Sequence, residues 1–218
     1  DPGQPSPSKQ ECVQQIGWMF RFLDNYTSEE IGQVAASDPI INKIKNDCAA
    51  EQADYFHGLD FVDEDHGWAA GWNGRIIATQ DGGVTWQPRN SGTLTNFLSL
   101  DFVDREVGYA TGEGGVVIKT MDGGMTWKRQ AVLGDVDLRK VSCVDRDRCW
   151  IASSYLRTIL HTFDGGRSWN RQALSATGSP TSVYFIDKNR GWMTTVNGEI
   201  LRTVDGGATW EESNSGLL

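Results

Sequence analysis

The chain has 218 residues, 39% of them apolar and 22% charged, which is enough for one or two domains with a sizeable core. Its 20 basic against 29 acidic residues give a net charge of −9, which excludes a broad non-specific contact with nucleic acid or an anionic membrane surface. No run approaches 18 apolar residues, so no transmembrane segment is expected.

The first residues, 1–8, are rich in Pro and Ser and read as a flexible leader. They open on Asp1-Pro2-Gly3 rather than Met, which fits a processed start. Residues 9–56 then predict a short helical extension. Cys12, Ile16, Phe20 and Leu23 recur on one helical face, and Thr27 with Glu30 fits a capping box. Asp38-Pro39 opens a third helix whose stripe is Ile41, Ile44 and Cys48. The four cysteines, Cys12, Cys48, Cys143 and Cys149, lack zinc-site spacing, and the three histidines are scattered, so no metal or cofactor is expected. An even cysteine count points to disulfides and an exported protein, whether periplasmic, lumenal or secreted. Cys12 and Cys48 each sit on the apolar stripe of their own helix, and a disulfide between them is geometrically possible if the two helices pack antiparallel.

From residue 57 to 218 the chain repeats. Four segments, about 57–92, 93–134, 135–176 and 177–218, close on the pattern T-x-D-G-G-x-T/S-W. Its aspartates, Asp81, Asp122, Asp164 and Asp205, are 41, 42 and 41 residues apart. Each period holds four short strand-like runs; in the second they are Leu98–Val103, Gly108–Thr111, Val116–Thr120 and Thr126–Val132. Four strands per period predict an all-β propeller of four blades, each a four-stranded antiparallel sheet, closed into a ring or left as an arc. In the repeated turn the aspartate accepts from backbone N–H groups, the glycines take positive φ, and Trp86, Trp127, Trp169 and Trp210 fold back over the hairpin. Four carboxylates on four blades cannot converge on one substrate, so these residues build the turn.

The motif [ST]-x-D-x-G-x-[ST]-W resembles the Asp-box of BNR-repeat proteins. The fuller line, F-V-D-x-x-x-G-W-A-x-G-x-x-G-x-I-x-x-T-x-D-G-G-x-T-W, is similar to the family of the photosystem II assembly factor Ycf48. The resemblance covers about three quarters of the chain and implies a non-enzymatic binder of membrane-protein assembly intermediates in an exported compartment. It marks fold before activity, because sialidases, xyloglucan-active hydrolases and sorting receptors share the box. Family members typically carry seven blades, against four here.

Positions that differ between repeats are free to serve a partner. Loops joining the second and third strands should share one face with the blade-to-blade connections, opposite the Asp-boxes. Trp72 is off-pattern on such a loop, where the other blades place Glu113, Ser154 or Tyr155, and Val196. An aromatic there suits a peptide anchor or a sugar stack, and packing against a neighbouring element suits it equally. Arg75, Arg157 and Glu199 follow the same loops, and Arg139 opens the third blade. The expected function is a protein-binding or assembly module. The partner-binding candidates are Trp72, Arg75, Glu113, Arg139, Tyr155, Arg157 and Glu199, and no catalytic residue is assigned. A carbohydrate-binding or hydrolytic module is the alternative, with Glu113 and Asp137 as its best carboxylate pair. Self-association is a further option. Cys143 and Cys149 flank one turn of the third blade and suit a structural staple or a redox pair.

Overall fold

The computed structural model describes residues 55–130, 136–154 and 157–213. The chain divides into two compact units, residues 1–55 with 92–94, and 56–91 with 95–218. The expected leader, the helical extension up to residue 54 and the Cys12–Cys48 pairing lie outside the described residues, and Phe56, expected as the end of that extension, instead opens a strand. Among the described residues, no helix is long and apolar enough to cross a membrane.

The second unit is all-β. Blade one comprises β1 (Phe56–Phe61), β2 (Gly67–Gly71), β3 (Arg75–Thr79) and β4 (Gln87–Asn90). Blade two comprises β5 (Phe97–Phe102), β6 (Gly108–Gly112), β7 (Val117–Thr120) and β8 (Lys128–Arg129). Blade three comprises β9 (Leu138–Cys143), β10 (Cys149–Ser153), β11 (Thr158–Thr162) and β12 (Asn170–Ala173). Blade four comprises β13 (Pro180–Phe185), β14 (Gly191–Thr195), β15 (Ile200–Thr203) and β16 (Glu211–Glu212). Each is an antiparallel meander in chain order. The fourth strand of blade two begins at Lys128 rather than at the expected Thr126, because Thr126 and Trp127 are spent on the Asp-box, and the last two residues of the expected strand, 131 and 132, lie outside the described residues.

The box geometry repeats. In blade one the Thr79 hydroxyl donates to Asp81 Oδ1 at 2.7 Å and accepts from Gly83 N–H at 2.9 Å. Asp81 also takes the N–H and hydroxyl of Thr85, at 2.8 and 2.6 Å. Gly82 and Gly83 take φ of 69° and 85°, which a side chain would strain. The Trp86 indole N–H closes back onto Gly83 O at 3.1 Å, as that of Trp127 does onto Gly124 O, whereas the indole N–H groups of Trp169 and Trp210 are buried without a partner among the described residues.

The apolar core lies between blades. Successive inner strands β1, β5, β9 and β13 pack in order. The first joint buries Trp68, Ile76 and Ala78 of blade one against Leu100, Phe102 and Ile118 of blade two. The third joint repeats this with Trp150 and Ile159 against Val183, Phe185 and Leu201. At both, a tryptophan stacks flat on the next blade's phenylalanine: Trp68 on Phe102 at 3.7 Å and Trp150 on Phe185 at 3.6 Å. The same indoles donate to the next box, Trp68 to Gly123 O at 2.9 Å and Trp150 to Gly206 O at 3.0 Å. Such stacks add about 1 kcal/mol beyond the area they bury.

The middle joint reaches the same end differently. Tyr109 stands in the tryptophan slot and Cys143 in the phenylalanine slot. Lys119 supplies the donor that the indole would have given, reaching Gly165 O at 2.8 Å across the face of Tyr109. Cys143 pairs across the strands with Cys149 and the two form a disulfide, as the staple reading expects. Among the described residues, no extended packing joins blade four to blade one, so the four sheets form an open arc rather than a closed ring.

Candidate functional site

Backbone bonds sort the loops into two faces. At one end of each blade the Asp-box meets the turn between its first two strands, as where Gly82 N–H donates to Asp65 O and Gly123 N–H to Glu106 O. At the other end the loop between the second and third strands meets the blade-to-blade connection. There Gly74 N–H donates to Thr95 O, Gly115 to Val136 O, Ser154 to Asp137 O and Val196 to Ser179 O. The varied residues therefore share the face opposite the boxes.

On this face blades one and two use the same tight 3-10 turn, Trp72–Gly74 and Glu113–Gly115. Asn73 and Gly114 take the same left-handed conformation, with φ of 58° and 61°. Trp72 and Glu113 thus occupy equivalent positions with different chemistry. Trp72 is 41% exposed, with the His57 ring 6.0 Å from its own. Asn96 ties the two loops together. Its carbonyl oxygen accepts from Asn73 N–H and its amide donates to Glu113 Oε2, each at 3.0 Å. Sequence reasoning missed Asn96. Its only signal is its place in the connection just before β5, where the next two connections carry Asp137 and Ser179.

The other candidates divide. Arg139 is exposed on β9, and Arg75 is half-buried at the start of β3. Arg157 adopts a left-handed φ of 54° and turns its guanidinium onto Ala176 O at 3.3 Å. Glu199 accepts from the N–H groups of Thr177 and Gly178, at 2.8 and 2.9 Å, and from the Thr195 hydroxyl at 2.7 Å. The Thr177 amide and these other donors hold its carboxyl down at about 2. Arg157 and Glu199 thus fasten the connection between blades three and four, while Trp72, Glu113 and Arg139 point chemistry outward. Tyr155 lies outside the described residues.

On the box face, Asp63, Asp65 and His66 are near enough to share a cation. The Asp63 carboxylate is already bonded, to the His66 ring at 2.9 Å and to Arg105 of the next blade at 2.7 Å. The loop face presents an aromatic and a carboxylate on pinned turns, with an exposed arginine nearby in chain order on strand β9.

Comparison with known proteins follows the same line. The solved structure of YCF48 bound to D1 peptide is 31% identical over 54% of this chain and 40% of that one, with a TM-score of 0.50. YCF48 from Cyanidioschyzon merolae is 26% identical over 73% of this chain and 57% of that one, with a TM-score of 0.56. The GH74 xyloglucanase from Xanthomonas campestris, at 13% identity over 74% of this chain and 30% of that one, shares the fold alone, with a TM-score of 0.58. No curated protein matches. The chain spans 40% and 57% of the length of the two YCF48 structures. The family model for the Photosynthesis system II assembly factor YCF48 matches residues 90–216, more than half of the sequence, and the chain belongs to that family.

Proposed function

We propose that this chain is a non-enzymatic binding module that holds a segment of a protein partner, a membrane-protein assembly intermediate, on its loop face. The observation that carries the reading is the 31% identical relative solved with a D1 peptide. Family membership supports an assembly role. The chemistry of the loop face agrees. Trp72 offers a large apolar surface, Arg139 can pair with a partner carboxylate, and the turns between them are fixed by backbone bonds, so little ordering cost is paid on binding. The exported compartment expected from the cysteines accords with family membership and with the Cys143–Cys149 disulfide. The carbohydrate alternative has less behind it. Its GH74 likenesses, at 10–15% identity, are likenesses of fold alone.

The test is a calorimetric titration with the D1 peptide. Wild type is expected to bind, and Trp72→Ala to weaken binding more than tenfold while its chemical melt stays unchanged. Equal affinity in the two proteins, or no heat with wild type, overturns the reading.

A further inference from the structure

The register of the inner strands leaves one residue over in every blade. In blade one Phe56 pairs with Gly71 and Gly58 with Ala70, so His57 has no opposite number. The same bulge leaves out Leu98 in blade two, Arg139 in blade three and Thr181 in blade four. Each bulge lies at the loop-face end. The residue before it, Phe56, Phe97, Leu138 or Pro180, pairs with Gly71, Gly112, Ser153 or Thr195, the last residue ahead of the loop between the second and third strands. A bulged residue therefore stands next to the loop residue of its own blade. The ring contact of His57 with Trp72, at 6.0 Å, is one instance. Bulges re-aim a side chain out of the ladder and are frequent beside functional sites.

The loop face thus carries an inner row, His57, Leu98, Arg139 and Thr181, beside the outer row of loop residues. One backbone slot holds four different chemistries. Blades two and three have a neighbour on both sides, so their members of the row are not chain-end features. Leu98 is half-buried yet belongs to none of the three apolar clusters. Glu113, the loop residue beside it, is exposed, and among the described residues only its Oε2 is bonded, to Asn96. Arg139 is exposed and makes no ion pair among the described residues. The Val141 N–H donates to the Ser99 hydroxyl at 3.3 Å, so the inner strands of blades two and three run side by side. An apolar side chain, a spare carboxylate oxygen and an unpaired guanidinium therefore follow one another across these two blades.

We propose that this row selects which segment the loop face accepts: an extended protein segment that brings an apolar and a basic residue to Leu98 and Glu113, and an acidic residue about two to four positions away to Arg139. The inference rests on the binding module proposed above and adds the order of side chains in its partner. Leu98 supplies the apolar contact, and the two opposite charges on adjacent blades fix direction and register, because a reversed segment sets like charges against each other.

The experiment is selection of a displayed library of random peptides on the full chain, followed by calorimetry with the selected peptides. Wild type is expected to enrich that order of apolar, basic and acidic residues. Arg139→Glu is expected to exchange the acidic preference for a basic one, Glu113→Lys to exchange the basic preference for an acidic one, and Leu98→Asp to abolish the apolar one. Peptides selected on wild type should bind each variant at least tenfold more weakly. Arg129→Glu makes the same charge change on the outer strand β8 and is expected to keep the wild-type preference. Arg139 and Glu113 are exposed, so unchanged chemical melts of their variants separate lost recognition from lost folding. A wild type that retains no peptide overturns the binding module and this inference with it. A wild type that enriches peptides of another order, or either charge-reversed variant keeping the wild-type preference, overturns this inference alone.

Discussion

Two kinds of aspartate sit in these repeats and answer pH in opposite directions. The box aspartates are held low by donors: Asp81, Asp164 and Asp205 fall to about 2, chiefly through the hydroxyl of the box Thr85, Ser168 or Thr209. Their contribution is present above the unfolded carboxylate value and is lost as pH falls towards 2. Asp101 is the reverse. Burial between blades two and three, reinforced by the nearby charge of Asp60, pushes it up to about 7, although the Cys143 N–H donates to it. Between about pH 4 and 7 the folded chain then keeps a proton that the unfolded chain has released, so stability falls as pH rises through that window. Asp101→Asn keeps the acceptor for Cys143 and removes the charge. The substitution is expected to stabilise the chain at pH 8, by up to about 4 kcal/mol for a three-unit shift, and to be nearly neutral at pH 4. Urea melts at both values check this, and an equal gain at each contradicts it. The role of the box aspartates is legible in the sequence because every donor lies within four residues. That of Asp101 is not, because its environment is set by a strand 42 residues away.

At the scale of the element, the hairpin between the first two strands carries a coupled choice. A Cβ added to Gly67, Gly108 or Gly191 would come within 2.7 Å of the ring of Phe61, Phe102 or Phe185. The phenylalanine therefore demands a glycine across the ladder. Blade three replaces both at once, Cys143 for the phenylalanine and Cys149 for the glycine, and the bond between them fills the space the ring has left. The sequence announces this as two departures six residues apart, but why they occur together is visible only once the cross-strand register is known. Gly191→Ala tests the constraint, because Phe185 is pinned on its far side by Trp150 at 3.6 Å and has nowhere to retreat. The expected cost is about 1–3 kcal/mol, as for other overpacked cores. An unchanged denaturation midpoint contradicts the argument.

At the scale of the whole molecule, a core that lies between sheets rather than within them makes stability a property of neighbours. The repeat period and the strand order could be read from the sequence, since turns and strands are local. The opening of the arc could not, because residues such as Leu59 and Trp192 look like their buried counterparts and differ only in lacking a blade beside them. Blades two and three are clasped on both faces, while one and four each have one joint, so opening should begin at the ends, as in other chains stabilised by nearest-neighbour contacts. Amide exchange followed by mass spectrometry at low micromolar concentration should find β6 and β10 slowest. The amides of β1 and β15 should exchange at least tenfold faster. Protection that is uniform over the four blades would mean that the joints do not set the order of opening.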